Sequence, residues 1–150
     1  MHVYRIAPIP FSRDLSGTGA KLFGGRWNEK GTPCIYTSST RALAICEFVA
    51  HQTLETVPNK LELVTLEIPT NSLIDLSIES LPSNWKDSPA PFKLKSLGNN
   101  LLINLECLII KVPSAIVPEE FNYILNPLHD DFSKIRIVDK RHYSLDKRLL

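Results

Sequence analysis

The sequence predicts a single α+β domain, and three observations carry that expectation. Short apolar stretches of strand length recur along the chain, from Cys34-Ile35-Tyr36-Thr37 to Cys107–Val112 (CLIIKV). Leu61–Ile68 (LELVTLEI) alternates apolar and polar side chains at period two, the mark of a half-buried strand. Between them, Ser38-Ser39-Thr40 offers helix N-cap groups before the apolar segment ALAICEFVAHQTL. The length, 150 residues, suits one domain.

In chain order, Val3–Ile6 reads as a first short strand, closed by Pro8 and Pro10. Residues 12–32 are polar, glycine-rich and without sustained periodicity, so a long ordered loop is expected, anchored by Leu22, Phe23 and Trp27. Cys34–Thr37 is a strand, and a helix follows from about Arg41 to Leu54. Leu61–Ile68 and Leu73–Ile78 are strands. Residues 79–91, with Pro82, Pro89 and Pro91, form a surface connection. Phe92–Asn104 reads as a helix broken near Gly98, and Cys107–Val112 as a buried strand. Phe121–Leu125 and Lys134–Val138 are two more strands, separated by Asn126-Pro127-Leu128-His129. With about three helices and many strands, and no internal repeat or low-complexity linker, residues 1–150 form one domain.

Composition narrows the function. The chain is 43% hydrophobic and 22% charged, which argues against wholesale disorder. A domain of this size buries roughly 68–70% of its unfolded surface, enough for a core without staples. Seventeen basic against sixteen acidic residues, a net charge of +1, leave no bulk field for a nucleic acid or an anionic membrane. No apolar run approaches the roughly 18 residues of a bilayer span. Cys34, Cys46 and Cys107 show no CxxC pair or metal-like spacing. With a start lacking signal-peptide character, they lead to the expectation of a soluble protein in a reducing cytoplasm. Five of the six glycines (Gly17, Gly19, Gly24, Gly25, Gly31) fall within fifteen residues, marking a backbone that turns tightly or is closely approached.

Several residues stand out as chemistry-bearing. Glu47 is the only fully ionised side chain of the helix segment 42–54 and shares a face with Leu43, Ala50 and Leu54. An unpaired carboxylate there is costly, so it is either a boundary residue held by a structural partner or a functional acid. Arg26, in Gly24-Gly25-Arg26-Trp27-Asn28, presents a rigid fork suited to phosphate or carboxylate, or is simply a solvated loop arginine. Tyr36 on a strand is either core or a stacking platform for a flat ring. Ser114 follows a strand and Pro113; without a GxSxG elbow it is not a hydrolase nucleophile. His51 lies four residues after Glu47, but the HExxH pattern of a zinc site is missing, and no metal is expected. His129 reads as a turn residue, while Asn122 and Asn126 flank one strand and reach backbone or ligand. The glycine cluster matches neither GxGxxG nor GxxxxGK[ST], so it is neither a Rossmann turn nor a P-loop.

In this order, these pieces resemble the RES domain, the toxin of a bacterial toxin–antitoxin pair, named for an arginine, a glutamate and a serine. Those residues fall here on Arg26 in GGRWN, Glu47 in the helix, and Ser114 in Val112-Pro113-Ser114-Ala115. Tyr4-Arg5, Gly17 through Asn28, Asn122–Pro127 with His129, and the closing Asp146-Lys147-Arg148-Leu149 are also similar to the family pattern. Residues 84–105 match it only loosely and carry none of the expected chemistry. The resemblance implies an ADP-ribosyltransferase-like fold, with two packed, mostly antiparallel sheets framing an NAD cleft. It implies degradation of NAD+ at the nicotinamide–ribose bond, with water or phosphate as acceptor and NAD+ as substrate rather than cofactor. It further implies an Xre-type helical DNA-binding antitoxin that occludes the active site, and a dimer within that complex.

The residues suit this chemistry. Nicotinamide leaves as a neutral molecule, so the barrier lies in the oxocarbenium charge developing on the ribose, which a carboxylate such as Glu47 stabilises. Arg26 and Arg5 are candidates for the pyrophosphate, and Tyr36, with Tyr4 and Trp27 as alternatives, for stacking. Asn126 is a further substrate-binding candidate, and Ser114 would bind or orient substrate or an acceptor phosphate. Three rivals remain: transfer of ADP-ribose to a protein, a ribonuclease, and a non-catalytic nucleotide sensor. The +1 charge and scattered histidines speak against the ribonuclease. Glu47 speaks against the sensor, since binding phosphates gains nothing from a nearby anion.

Overall fold

The computed structural model describes residues 1–150. Seven strands are present: β1 (His2–Pro8), β2 (Ile35–Ser38), β3 (Leu61–Glu67), β4 (Leu73–Asp75), β5 (Ile109–Pro113), β6 (Phe121–Leu125) and β7 (Arg136–Tyr143). Three helices, α1 (Thr18–Phe23), α2 (Arg41–Val49) and α3 (Phe92–Ile103), complete the α+β domain. The strands follow the order β4-β5-β6-β2-β1-β3-β7 and pair antiparallel except for β4 with β5.

The expected pair of sheets is thus one hydrogen-bonded sheet, but its two halves meet at a single point. β1 and β3 pair over seven positions, whereas β1 and β2 share only the pair Tyr4↔Ser38. The mostly antiparallel character stands. The second sheet is replaced by a seam where one ladder gives out and the strands diverge.

Both faces of the β2–β6–β5 half are buried, which explains its continuous apolar runs. On one face Ile35, Ile109 and Leu125 join Val3, Val64 and Leu66. On the other, Cys34, Ile110 and Ile124 pack with Trp27, Trp85, Leu94 and Leu102 beneath α3. α2 lies across β1 and β2, its N-terminus capped by Thr40, whose hydroxyl accepts from the Leu43 N–H at 3.0 Å.

Other expectations shift for identifiable reasons. The 12–32 loop contains α1, six residues started at Gly17 (φ 73°), a left-handed position that a periodicity search does not register. α2 stops at Val49 rather than Leu54 because Thr53 and Thr56 form their own turn, exchanging backbone N–H and hydroxyl bonds. β4 is shorter than 73–78, since Ile78 already begins a 3-10 turn. β7 is longer than 134–138: as an edge strand it is largely exposed, and its charged residues pair across to β3 through Arg136–Glu67 and Lys140–Glu62.

α3 runs unbroken through Gly98. The glycine there provides clearance, because a Cβ would collide with the Trp27 carbonyl oxygen. Gly98→Ala is therefore expected to lower stability by about 1–3 kcal/mol through overpacking. This loss outweighs the roughly 1 kcal/mol that alanine adds to helix propensity. Urea unfolding checks it; equal or higher stability would contradict the close helix–loop contact.

Candidate active site

Beyond the Tyr4↔Ser38 pair the two halves separate, and the gap is a cleft of about 830 Å³. That volume lies in the range of small-molecule sites. Arg5 and Ile6 of β1 line one side, Tyr36 and Thr37 of β2 the other, with Glu47 and Phe48 of α2 beside them.

Glu47 projects from α2 toward the β5–β6 end of the cleft and is half-buried. Its Oε1 accepts the Ser114 hydroxyl at 2.8 Å and the Asn122 amide at 2.5 Å. Ser114 is fully buried and itself accepts the backbone N–H groups of Ile116 (3.1 Å) and Val117 (3.0 Å), so its own proton goes to Glu47. Asn122 accepts the Ser38 hydroxyl at Oδ1, 2.7 Å. The Ser114 and Asn122 donors thus converge on one carboxylate oxygen. Ser114 does not itself line the cleft; its hydroxyl is spent on Glu47.

The glycine-rich loop is fixed from within. Tyr36 donates its hydroxyl to Asn28 Oδ1 (2.7 Å) and accepts the Trp27 N–H (3.0 Å). Burial holds this phenol well above its ordinary pKa, which keeps it a donor. Asn28, fully buried, ties the Ala20 and Thr32 carbonyls together, each at 2.9 Å. Gly25 is required because a Cβ would meet the Tyr36 hydroxyl and Asn28 Oδ1. The loop thereby presents Arg26 to the cleft, where its Nη1 donates to the carbonyls of Trp85 (2.8 Å) and Asp87 (3.0 Å). One edge of the guanidinium is thus anchored in place.

Four of the sequence candidates are engaged within the protein itself. Arg5 spends Nη2 on the carbonyls of Phe11, Ser12 and Asp14 (3.0, 3.1 and 2.8 Å), so it organises the 9–14 segment although it borders the cleft. Burial lowers its pKa, against the opposing pull of Asp14, and its Nε is left without a partner. Tyr4 borders the cleft, but one ring face carries the Arg41 guanidinium at 4.4 Å. Trp27 borders the cleft but is 2% exposed and packs in the core under α3. Asn126 is fully buried outside the cleft, bonded to the Leu102 and Cys107 carbonyls and the Leu128 N–H. It closes the turn after β6.

Sequence reasoning missed other residues. Lys86 and Lys95 line the wall built from 86–95, a segment expected to carry no chemistry. With Arg5 and Arg26 they make four cations around the cleft, against Glu47 as its one acid, and none takes part in the chain's five ion pairs. A chain of net charge +1 thus concentrates positive potential in one place. Ser38 read as a helix N-cap candidate and Asn122 as a residue reaching backbone or ligand; their cross-strand register is what joins them. His51 also borders the cleft, with no group of metal ligands around it.

The sequence profile of the RES domain family matches residues 2–146. The chain is 38% identical over 153 residues to "Toxin Res" of Photorhabdus laumondii, covering 100% of this chain and 97% of that protein. It is 38% identical over 140 residues to the "Prs ADP-ribosylating toxin" of a Sphingobium species, covering 91% and 87%. Among solved structures, the M. tuberculosis MbcT–MbcA toxin–antitoxin complex contains a chain with the same fold. The TM-score is 0.79 at 19% identity, over 95% of this chain and 84% of that one.

Tyr36→Phe keeps the ring but strands the Trp27 N–H and Asn28 Oδ1. The expected loss is about 1–3 kcal/mol in chemical denaturation, with faster proteolysis in the 24–32 loop. Unchanged stability would show that the hydroxyl does not hold this loop.

Proposed function

The chain belongs to the RES domain family, and we propose that it is the toxin of a toxin–antitoxin pair, an enzyme that cleaves the nicotinamide–ribose bond of NAD+. The observation that carries this reading is the charge arrangement of the cleft. A single oriented carboxylate lies in a pocket whose other charged side chains are cationic. A pyrophosphate fits the cationic side, and a sugar that turns cationic during reaction fits the acid.

In this reading Arg26, with Lys86 and Lys95, holds the pyrophosphate. The ring of Tyr36 stacks on a flat base, and Glu47 faces the ribose. As the glycosidic bond lengthens, positive charge grows on the ribose while neutral nicotinamide departs, so no strong general acid is needed. Glu47 Oε1 is occupied by Ser114 and Asn122, leaving Oε2 for the developing cation. A fixed negative charge favours the transition state over the ground state, because the cation it meets develops only there. The bond electrons leave on nicotinamide, and water or phosphate supplies the new oxygen at C1′.

The partner in this proposal is an Xre-type antitoxin that covers the cleft, with the toxin dimeric in the complex and acting in the cytoplasm. Phe23, on the cleft rim and 77% exposed, offers such a partner an apolar contact. Transfer of ADP-ribose to a protein is the second reading, favoured by the name of the Sphingobium relative.

Purified protein incubated with NAD+ is expected to release free nicotinamide without added protein, measured by chromatography. Glu47→Gln keeps an oxygen to accept both donors but removes the charge. It should cut turnover by at least about 10²-fold while melting close to wild type. Running the assay with and without phosphate identifies the acceptor. Label on a protein selects the second reading, and intact NAD+ beside degraded RNA overturns both.

A further inference from the structure

We propose that Asn122 is a positioning residue that fixes the plane of the Glu47 carboxylate, so that one oxygen stays turned toward the substrate, and that Ser38 holds Asn122 in place for that contact. The inference rests on the reading of Glu47 as the group facing the ribose and adds what aims it. A carboxylate at the end of a glutamate side chain turns through a broad, shallow torsion. Left free, the plane of the carboxylate would swing and its oxygens would point to no fixed place. Here Oε1 takes both protein donors, Ser114 from one side and Asn122 from the other.

The Asn122 donor is itself a matter of orientation. An asparagine amide fits the same space in either of two flips, and the wrong one would place a carbonyl oxygen against the carboxylate. The Glu47 carboxylate, which offers only acceptors, decides between them by taking Nδ2, and the Ser38 hydroxyl then donates to Oδ1 and holds the amide in place. Ser38 and Asn122 are registered partners on β2 and β6, so the lock is built into the sheet. Ser38 is also the residue paired with Tyr4 where the two halves of the sheet meet, and it is 3% exposed.

The consequence is a sharp intolerance at position 122. Asn122→Asp preserves shape and the bond from Ser38 but puts a second carboxylate oxygen against Glu47 Oε1. Two carboxylates at that spacing share a proton, and both ionise only at higher pH. The other titratable groups bordering the cleft are Tyr4 and Arg5 on β1, Arg26, Tyr36 on β2, His51, and Lys86 and Lys95 on the opposite wall. None is hydrogen-bonded to Glu47 or Asn122, and all are common to every variant, so a moved pH limb reports the new pair.

The test is nicotinamide release from NAD+ between pH 5 and about 9 for wild type, Asn122→Asp and Ser38→Ala, with thermal melts to verify folding. For Asn122→Asp, kcat should fall at least about tenfold near neutrality with KM within about threefold, and the acid limb should move upward, so that activity recovers as pH rises. For Ser38→Ala, kcat should fall several-fold with the limb unmoved. A folded Asn122→Asp enzyme with wild-type kcat, or with kcat reduced equally at every pH, overturns the proposal. If Asn122→Asp does not fold, wild-type kcat in Ser38→Ala overturns it. Wild-type protein that releases no nicotinamide fails the underlying reading instead, and so separates the two.

Discussion

The structure turns on the single ladder pair Tyr4↔Ser38, where the two halves of the sheet are joined. A longer ladder would have zipped β1 to β2 and filled the cleft with main chain. With one pair, the halves are fixed in relation to each other and still diverge enough to leave about 830 Å³ between them. Ser38 contributes its backbone to that junction and its side chain to the first hydrogen bond of the series that ends on Glu47. The geometry of the carboxylate is therefore tied to the geometry of the split.

The fold was largely legible in the sequence because its strands report burial directly. LELVTLEI, CIYT and CLIIKV each hold most of a strand, Leu61–Glu67, Ile35–Ser38 and Ile109–Pro113, and Thr40 caps α2 as its position suggested. What escaped depends on contacts made elsewhere in the chain. Gly98 looked like a helix break because its reason for being glycine, the Trp27 carbonyl, lies about seventy residues away. β7 looked short because exposed charged residues show no period, and its length is supported by pairs with β3.

The site divides along the same line. Glu47 was readable as an acid on an apolar helix, and Arg26 as a guanidinium on a glycine-shaped loop. The roles of Ser114 and Asn122 could not be read locally, since each is defined by a bond to Glu47 across 67 and 75 residues. Asn126 misleads for the opposite reason: its amide suits a ligand equally well but lies outside the cleft, engaged by backbone carbonyls. The wall carrying Lys86 and Lys95 has no motif at all. Its place in the site comes from the anchoring of Arg26 on the Trp85 and Asp87 carbonyls.

The central claim is that the cleft separates charge, with the ribose at Glu47 and the phosphates at the cationic wall. A crystal structure of the Glu47→Gln variant with NAD+ bound tests it most directly. The account predicts the ribose C1′ within roughly 3–3.5 Å of the side-chain atom replacing Oε2. It also predicts the pyrophosphate against Arg26 and the nicotinamide beside Tyr36. A dinucleotide bound with its phosphates at position 47, or outside the gap between β1 and β2, would contradict it.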